Sequence, residues 1–259
     1  MWENVYHIAR KGLTMNQIRY EIFTEKNVKY LDKPNEDLAL FEKKYNIGIV
    51  LDGVTRDRIE GVYPNPSPAR VASELFANTI INKFEEINTH GKSKICELIQ
   101  EANKNIKIYN EELKDSFLAG TVGIIFVIEG DKFHYAYIGD CSAGILRNNM
   151  YRVFTEKQTV MIQKHKHEYT SKEIRTNICN HINHPCGYGV WNGEPEAMDF
   201  VKYGTIKVQP GDIVLLYTDG FEEEMKGYKI SNLCKEPLKG MSKERISQDD
   251  KTCIKLKFL

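Results

Sequence analysis

The sequence predicts a fold of class α+β, and three observations predict it. Short apolar runs ending in an acid or an acid and glycine occur at 45–53, 133–140 and 213–220. Each is too short for a helix, and branched residues such as Ile47, Ile49 and Val50 favour the pleated backbone, so each reads as a buried strand. Two stretches with apolar residues at helical spacing follow one another between Ser67 and Tyr109. Residues 121–154 then alternate apolar runs with turn formers, the pattern of a dense antiparallel sheet.

In chain order, Ile18, Tyr20 and Ile22 alternate with Arg19 and Glu21, which predicts a half-buried first strand. Leu38–Phe41 and Ile47–Leu51 form a hairpin across Glu42-Lys43-Lys44, which carries Glu36 and Asp37 to the end where Asp52 emerges. Tyr63-Pro64-Asn65-Pro66-Ser67-Pro68 is extended, because each proline drives its predecessor out of the helical region. Ser67 then caps a helix with Pro68 in its first position and an apolar stripe of Val71, Leu75, Ile81 and Phe84. A second helix begins near Ser93, with Ile95, Leu98, Ile99, Ala102, Ile106 and Tyr109 on one face.

Val122–Ile128 and Phe133–Ile138 pair across Glu129-Gly130-Asp131, and Gly144–Arg147 and Tyr151–Phe154 across Asn148-Asn149. Residues 156–180 are polar and partly helical, and Lys164-His165-Lys166-His167 reads as a solvated face. The glycine-rich loop 187–193 lacks a strand-to-helix phosphate-cradle pattern and takes no nucleotide role. Strands at Thr205–Val208 and Ile213–Tyr217 flank the turn Pro210-Gly211-Asp212. Glu222, Glu223 and Glu224 open a short helix, residues 226–248 are irregular, and Cys253–Phe258 is the last strand. With no repeat and no linker-like segment, residues 1–259 are expected to form a single domain.

Composition excludes several classes of function. Lysine plus arginine and aspartate plus glutamate both number 36, so no net basic field draws the chain to nucleic acid or an anionic membrane. No signal peptide and no membrane-length apolar run is evident, which predicts a cytoplasmic protein. Six scattered cysteines fit reduced thiols. Cys179, His181, His184 and Cys186 fall within eight residues, a spacing that reads as a loop with incidental ligand types before it reads as zinc.

The acids carry the chemistry. Asp52, Asp140 and Asp219 each finish a strand, and singly each is ordinary turn chemistry. If the three ends converge, the carboxylates repel by roughly 4 kcal/mol per close pair at an effective dielectric of about 20, so a cation must lie between them. Carboxylate, carbonyl and water donors favour Mg²⁺ or Mn²⁺ over zinc.

The spaced elements Asn35-Glu36-Asp37, Asp52-Gly53, Gly120-Thr121, Gly139-Asp140, Pro210-Gly211-Asp212, Thr218-Asp219-Gly220 and Asp249-Asp250-Lys251-Thr252 resemble the metal-dependent type 2C serine/threonine protein phosphatases in their compact bacterial form. The resemblance covers nearly the whole chain. It implies a four-layer sandwich of two antiparallel sheets flanked by helix pairs, with two metal ions, or three, at one end. By position, Asp52 resembles the bridging carboxylate and Gly53 the residue whose carbonyl supports the second ion through water. Asp219 and Asp249 match ligands of the first ion, and Glu36 serves the second, with Asp37 ordering its waters. Asp140 resembles a ligand of a third, weaker ion. The implied reaction is hydrolysis of phosphoserine and phosphothreonine on protein substrates by a metal-bridged water, with no protein nucleophile.

Two positions depart from the family pattern. The arginine that usually grips phosphate before the acid pair is replaced by Asp32, leaving Lys33, Lys29 and Arg56 as cations near the phosphate. The histidine that usually protonates the leaving oxygen is replaced by Val54. These departures raise an alternative from another class, a pseudophosphatase that keeps fold and metals as a partner-binding or sensing module.

Overall fold

The computed structural model describes residues 18–30, 32–55, 61–113, 118–226, 228–230, 232, 238 and 249–259. Ten strands form two five-stranded antiparallel sheets. The first has the order β1 (Ile18–Glu25), β10 (Lys251–Phe258), β9 (Ile213–Tyr217), β6 (Ser142–Arg147), β7 (Met150–Val153). The second has the order β2 (Leu38–Glu42), β3 (Ile47–Gly53), β4 (Thr121–Glu129), β5 (Lys132–Ile138), β8 (Lys202–Lys207). Nearly continuous burial along β3, β4 and β9 follows from their central positions, where both faces are covered. The main apolar core includes Ile49, Ile125, Phe126, Leu216, Ile254 and Phe258.

Helices α1 (Pro68–Lys83) and α2 (Gly91–Leu113) pack together on the second sheet. Ser67 caps α1 as expected, accepting from the Arg70 amide at 3.2 Å. The buried face of α1 is not the expected stripe. Ala72, Phe76 and Ile80 are fully covered, whereas Val71, Leu75 and Ile81 lie half-buried on the flank. With the sheet beneath and α2 alongside, α1 is covered on two sides, so branched residues have no single face to mark. The expected face of α2 is the one that packs, although its Tyr109 is only half-buried.

On the first sheet, α6 (Asp219–Met225) packs Phe221 and Met225 with Leu215, Tyr217, Leu238 and Cys253, and Tyr228 and Ile230 pack against the same cluster. Strand β1 also differs from expectation: Tyr20 and Ile22 are exposed, and Phe23 turns toward Phe221, with ring centroids 5.7 Å apart. As an edge strand β1 has a neighbour on one side only, which weakens the alternation that its sequence suggests.

The turn at Pro210-Gly211-Asp212 does not join a hairpin. Strands β8 and β9 belong to different sheets, and the turn carries the chain between them. Shorter helices α3 (Val160–His165), α4 (Ser171–Glu173) and α5 (Ala197–Phe200) lie in the segment between β7 and β8. Among the described residues, no helix is long and apolar enough to cross a membrane.

Candidate active site

The antiparallel registers bring acids from both sheets to one end of the sandwich. Pairing of Leu38 with Leu51 sets Asp37 beside Asp52, at the end of β3. Strand β5 runs out through Gly139 to Asp140, β9 runs through Thr218 to Asp219 at the start of α6, and Asp249 precedes β10. Two glycines permit the close approach. A Cβ on Gly53 would stand 2.9 Å from the Glu36 carbonyl oxygen, and one on Gly220 would stand 2.0 Å from that of Asp250.

Two openings give access. A cavity of about 280 Å³ is lined by Asp52, Gly53, Val54, Thr55, Asp140, Thr159 and Lys166, among others. A second, of about 290 Å³, is lined by Lys157, Asp219, Glu222 and Asp249, among others, and shares Gln163 with the first. Asp37 is buried, and Thr218 Oγ1 donates to its Oδ2 at 2.8 Å while accepting from the Thr252 amide at 3.0 Å. Thr159 Oγ1 donates to Asp140 at 3.1 Å.

These carboxylates sit badly with one another when no cation is present. Burial, then Asp37, Asp219, Asp140 and Asp249, push the Asp52 carboxyl well above the ordinary aspartate range. Burial and Asp250 do the same to Asp37, partly offset by the Thr218 hydroxyl. Burial raises Asp140, against the Thr159 hydrogen bond. Asp219 is pushed up to about 6 by burial and by Asp140 and Asp249. Lys157 is a nearby cation whose ammonium is taken by Glu222 at 2.5 Å, and Lys33 reaches Asp249 at 3.8 Å. An all-oxygen donor set that lacks compensating charge fits a hard divalent ion. Among the described residues no three acids close on one point as a finished metal cage, so the set is convergent and open.

Glu36 and Lys33 depart from their expected roles. Glu36 Oε1 accepts from Tyr63 and Ser67, and Oε2 accepts from Thr55 at 2.7 Å and lies 3.1 Å from Lys33 Nζ. Four donors fill the acceptor sites of this buried carboxylate, so in this arrangement it is anchored within the fold. Asp37 takes the place beside Asp52 instead, as part of the acid cluster. Lys33 was expected to meet phosphate, yet it is 5% exposed and lies among Glu36, Asp250 at 3.5 Å and Asp249 at 3.8 Å. Burial opposes its charge, but the three acids more than offset this and raise its pKa. Arg56 lies outside the described residues.

His181 Nδ1 bonds to the Cys179 carbonyl, and His184 Nδ1 accepts from the Cys186 amide at 3.1 Å. The two thiols belong to different apolar clusters, and no metal-binding group includes them among the described residues.

The protein phosphatase 2C family profile matches residues 31–250. The chain belongs to the protein phosphatase 2C family. A serine/threonine phosphatase, stp, of Listeria monocytogenes serotype 4b (strain F2365) is 27% identical over 210 residues, covering 78% of this chain and 77% of that protein. The phosphatase PstP/Ppp of Mycobacterium tuberculosis superposes with a TM-score of 0.70 at 18% identity, covering 93% of this chain and 98% of that one. PppA of Pseudomonas aeruginosa gives 0.71 at 14%, covering 96% and 100%. A solved PstP catalytic domain in complex with two manganese ions gives 0.67 at 18%, covering 93% and 98%. These structures share the fold of this phosphatase 2C chain.

Some residues around this phosphatase 2C site were given no role from the sequence. Asp250 accepts from the Asn27 amide at 2.6 Å, its side chain at 2.9 Å and the Glu36 amide at 3.0 Å, fixing the loops on either side of Asp249 and Asp37. Thr218 had a readable signal, since it precedes Asp219 at the end of an apolar strand. Arg175 had none. It follows α4 and donates to the Thr55 carbonyl at 3.2 Å from 120 residues away in sequence.

Proposed function

We propose that this chain hydrolyses phosphoserine and phosphothreonine esters on protein substrates in the cytoplasm, using Mg²⁺ or Mn²⁺. The observation that carries the reading is the meeting of Asp37, Asp52, Asp140, Asp219 and Asp249 at one end of the sandwich without enough positive charge between them. Asp52, Asp219 and Asp249 would hold the ions, with Asp37 beside Asp52 and Asp140 at the far wall. Bound there, divalent ions supply Lewis acidity and neutralise charge that develops on the phosphoryl oxygens.

The chain's own residues do the rest. Thr218 orients Asp37, and Thr159 orients Asp140. Lys166 on the cavity wall and Arg175 on the Thr55 carbonyl bring positive charge to the mouth, where a phosphate enters. Val54, in the same wall, has no proton to give a leaving oxygen. That absence favours the second reading, a pseudophosphatase that binds partners through an intact fold.

Phosphate release from phosphoserine and phosphothreonine peptides, measured with and without Mn²⁺, decides between them. Metal-dependent release that disappears in Asp52→Asn is expected. Undiminished turnover in Asp52→Asn would remove Asp52 from the mechanism, and no release across a broad peptide panel would assign the pseudophosphatase role.

A further inference from the structure

Along the side of the sandwich where both sheets end, between the edge strands β7 and β8, lies a cavity of about 530 Å³. This is within the range of small-molecule pockets, roughly 300 to 1,000 Å³. Its apolar walls are Tyr135, Ile145, Phe154 and Ile206, with Met150 at the lip, 72% exposed. The Tyr135 and Phe154 rings lie 4.8 Å apart at 54°, so the floor is a fixed aromatic surface.

The rim is cationic. Arg147 is held rigidly, donating Nε and Nη2 to Asp212 at 2.9 and 2.6 Å and Nη2 to the Lys207 carbonyl at 2.7 Å. Asp212 neutralises that guanidinium. Arg152 and Lys207, both exposed, have no carboxylate partner among the described residues. An apolar floor with two uncompensated cations above it matches an anion that carries an apolar body. The acid cluster is elsewhere: β6 starts at Ser142 near Asp140 and reaches the cavity at Arg147, roughly 17 Å away at about 3.3 Å per residue.

We propose that this cavity binds a small organic anion, a free aryl or acyl carboxylate or sulfonate, with its apolar part on Tyr135, Phe154 and Ile206 and its charge between Arg152 and Lys207. The inference stands apart from the phosphatase reading, because a sulfonate or carboxylate is no substrate for phosphoester hydrolysis.

The probe is 8-anilinonaphthalene-1-sulfonate, titrated by fluorescence into the native protein, Arg152→Glu/Lys207→Glu and Ile206→Trp, each checked by melting curve. Saturable binding to one site in the native protein is expected. Charge reversal should weaken it at least tenfold, and filling the cavity with tryptophan should abolish it, both without loss of the folded transition. A native protein that shows no saturable binding would overturn the proposal. So would an affinity unchanged from the native protein's in both folded variants, which would place the dye elsewhere. If one variant fails to fold, the other decides alone.

Discussion

Two groups of buried charge lie side by side at one end of this molecule, and their chemistry is opposite. In one, Lys33, Glu36 and Asp250 form a closed set in which every group has partners: Lys33 sits between the acids, Asn27 and the Glu36 amide serve Asp250, and Tyr63, Ser67 and Thr55 serve Glu36. In the other, Asp37, Asp52, Asp140 and Asp219 have few donors and mainly face one another, and Asp249, whose side chain is largely exposed, stands at their edge 3.8 Å from Lys33. A closed set is architecture, since its charges are compensated within the fold. An open set costs stability unless something from outside completes it, and this marks it as a site. Glu36 and Asp37 are neighbours in sequence, and peptide geometry alone sends one to each group.

The largest expected effect tests the contrast through opposite changes in stability. Lys33→Met leaves two buried carboxylates without their counter-charge, and breaking such a pair costs about 3 to 5 kcal/mol. Asp52→Asn removes one charge from a self-repelling set and should raise the melting temperature of the metal-free protein. Denaturant unfolding of both variants without metal measures this. A Lys33→Met protein as stable as the native one would mean that the closed set holds nothing together.

A smaller effect concerns what completes the open set. Mn²⁺ that binds only the folded state stabilises it by roughly 2.7 kcal/mol at a hundredfold excess over its dissociation constant. Its dependence on pH has a definite sign. The folded values of these aspartates lie above the unfolded one, about 3.9, so their contribution is fully present below that value. It is lost as pH rises through about 6, where Asp219 ionises in the fold. Metal-free protein should therefore melt at lower temperature at pH 7 than at pH 5 through this cluster, and millimolar Mn²⁺ should remove the difference. An unchanged melting curve with metal at pH 7 would mean that the acids are dispersed turns.

The contrast also explains what was legible in the sequence. Strand ends at Asp52, Asp140 and Asp219 could be read because branched apolar runs stop at them, and the hairpin register then placed Asp37 near Asp52. The partners of Glu36 could not be read. Thr55, Tyr63 and Ser67 lie 19 to 31 residues downstream, and only the packing of α1 against β3 brings them to its carboxylate. Lys33 looked like a phosphate ligand because a lysine near an acid pair carries no local sign of burial. The α1 stripe failed for a related reason: small Ala72 and Ala77 share the covered side with Phe76 and Ile80, and alanine carries little hydrophobic signal in a sequence.

The smallest expected effect lies in the wall between the two groups, at Val54, whose amide donates to the Gly120 carbonyl at 3.0 Å and whose side chain lines the cavity beside Asp52 and Asp140. An alkoxide leaving phosphoserine is strongly basic and needs a proton in the transition state, whereas an aryl oxide departs with less help. General acid catalysis is typically worth about 10² to 10⁴, and one substitution in a wall shaped for valine should recover only part of it, about tenfold or ~1.4 kcal/mol. Val54→His should therefore speed turnover of phosphoserine and phosphothreonine esters while leaving p-nitrophenyl phosphate nearly unchanged. His184 is poorly placed to serve instead, since it is not among the residues that line this cavity. Measuring both ester classes in both proteins separates the cases. Equal native rates on alkyl and aryl esters, untouched by Val54→His, would show that another group already donates the proton, and the candidates on the same wall are then Lys166 and the Thr159 hydroxyl.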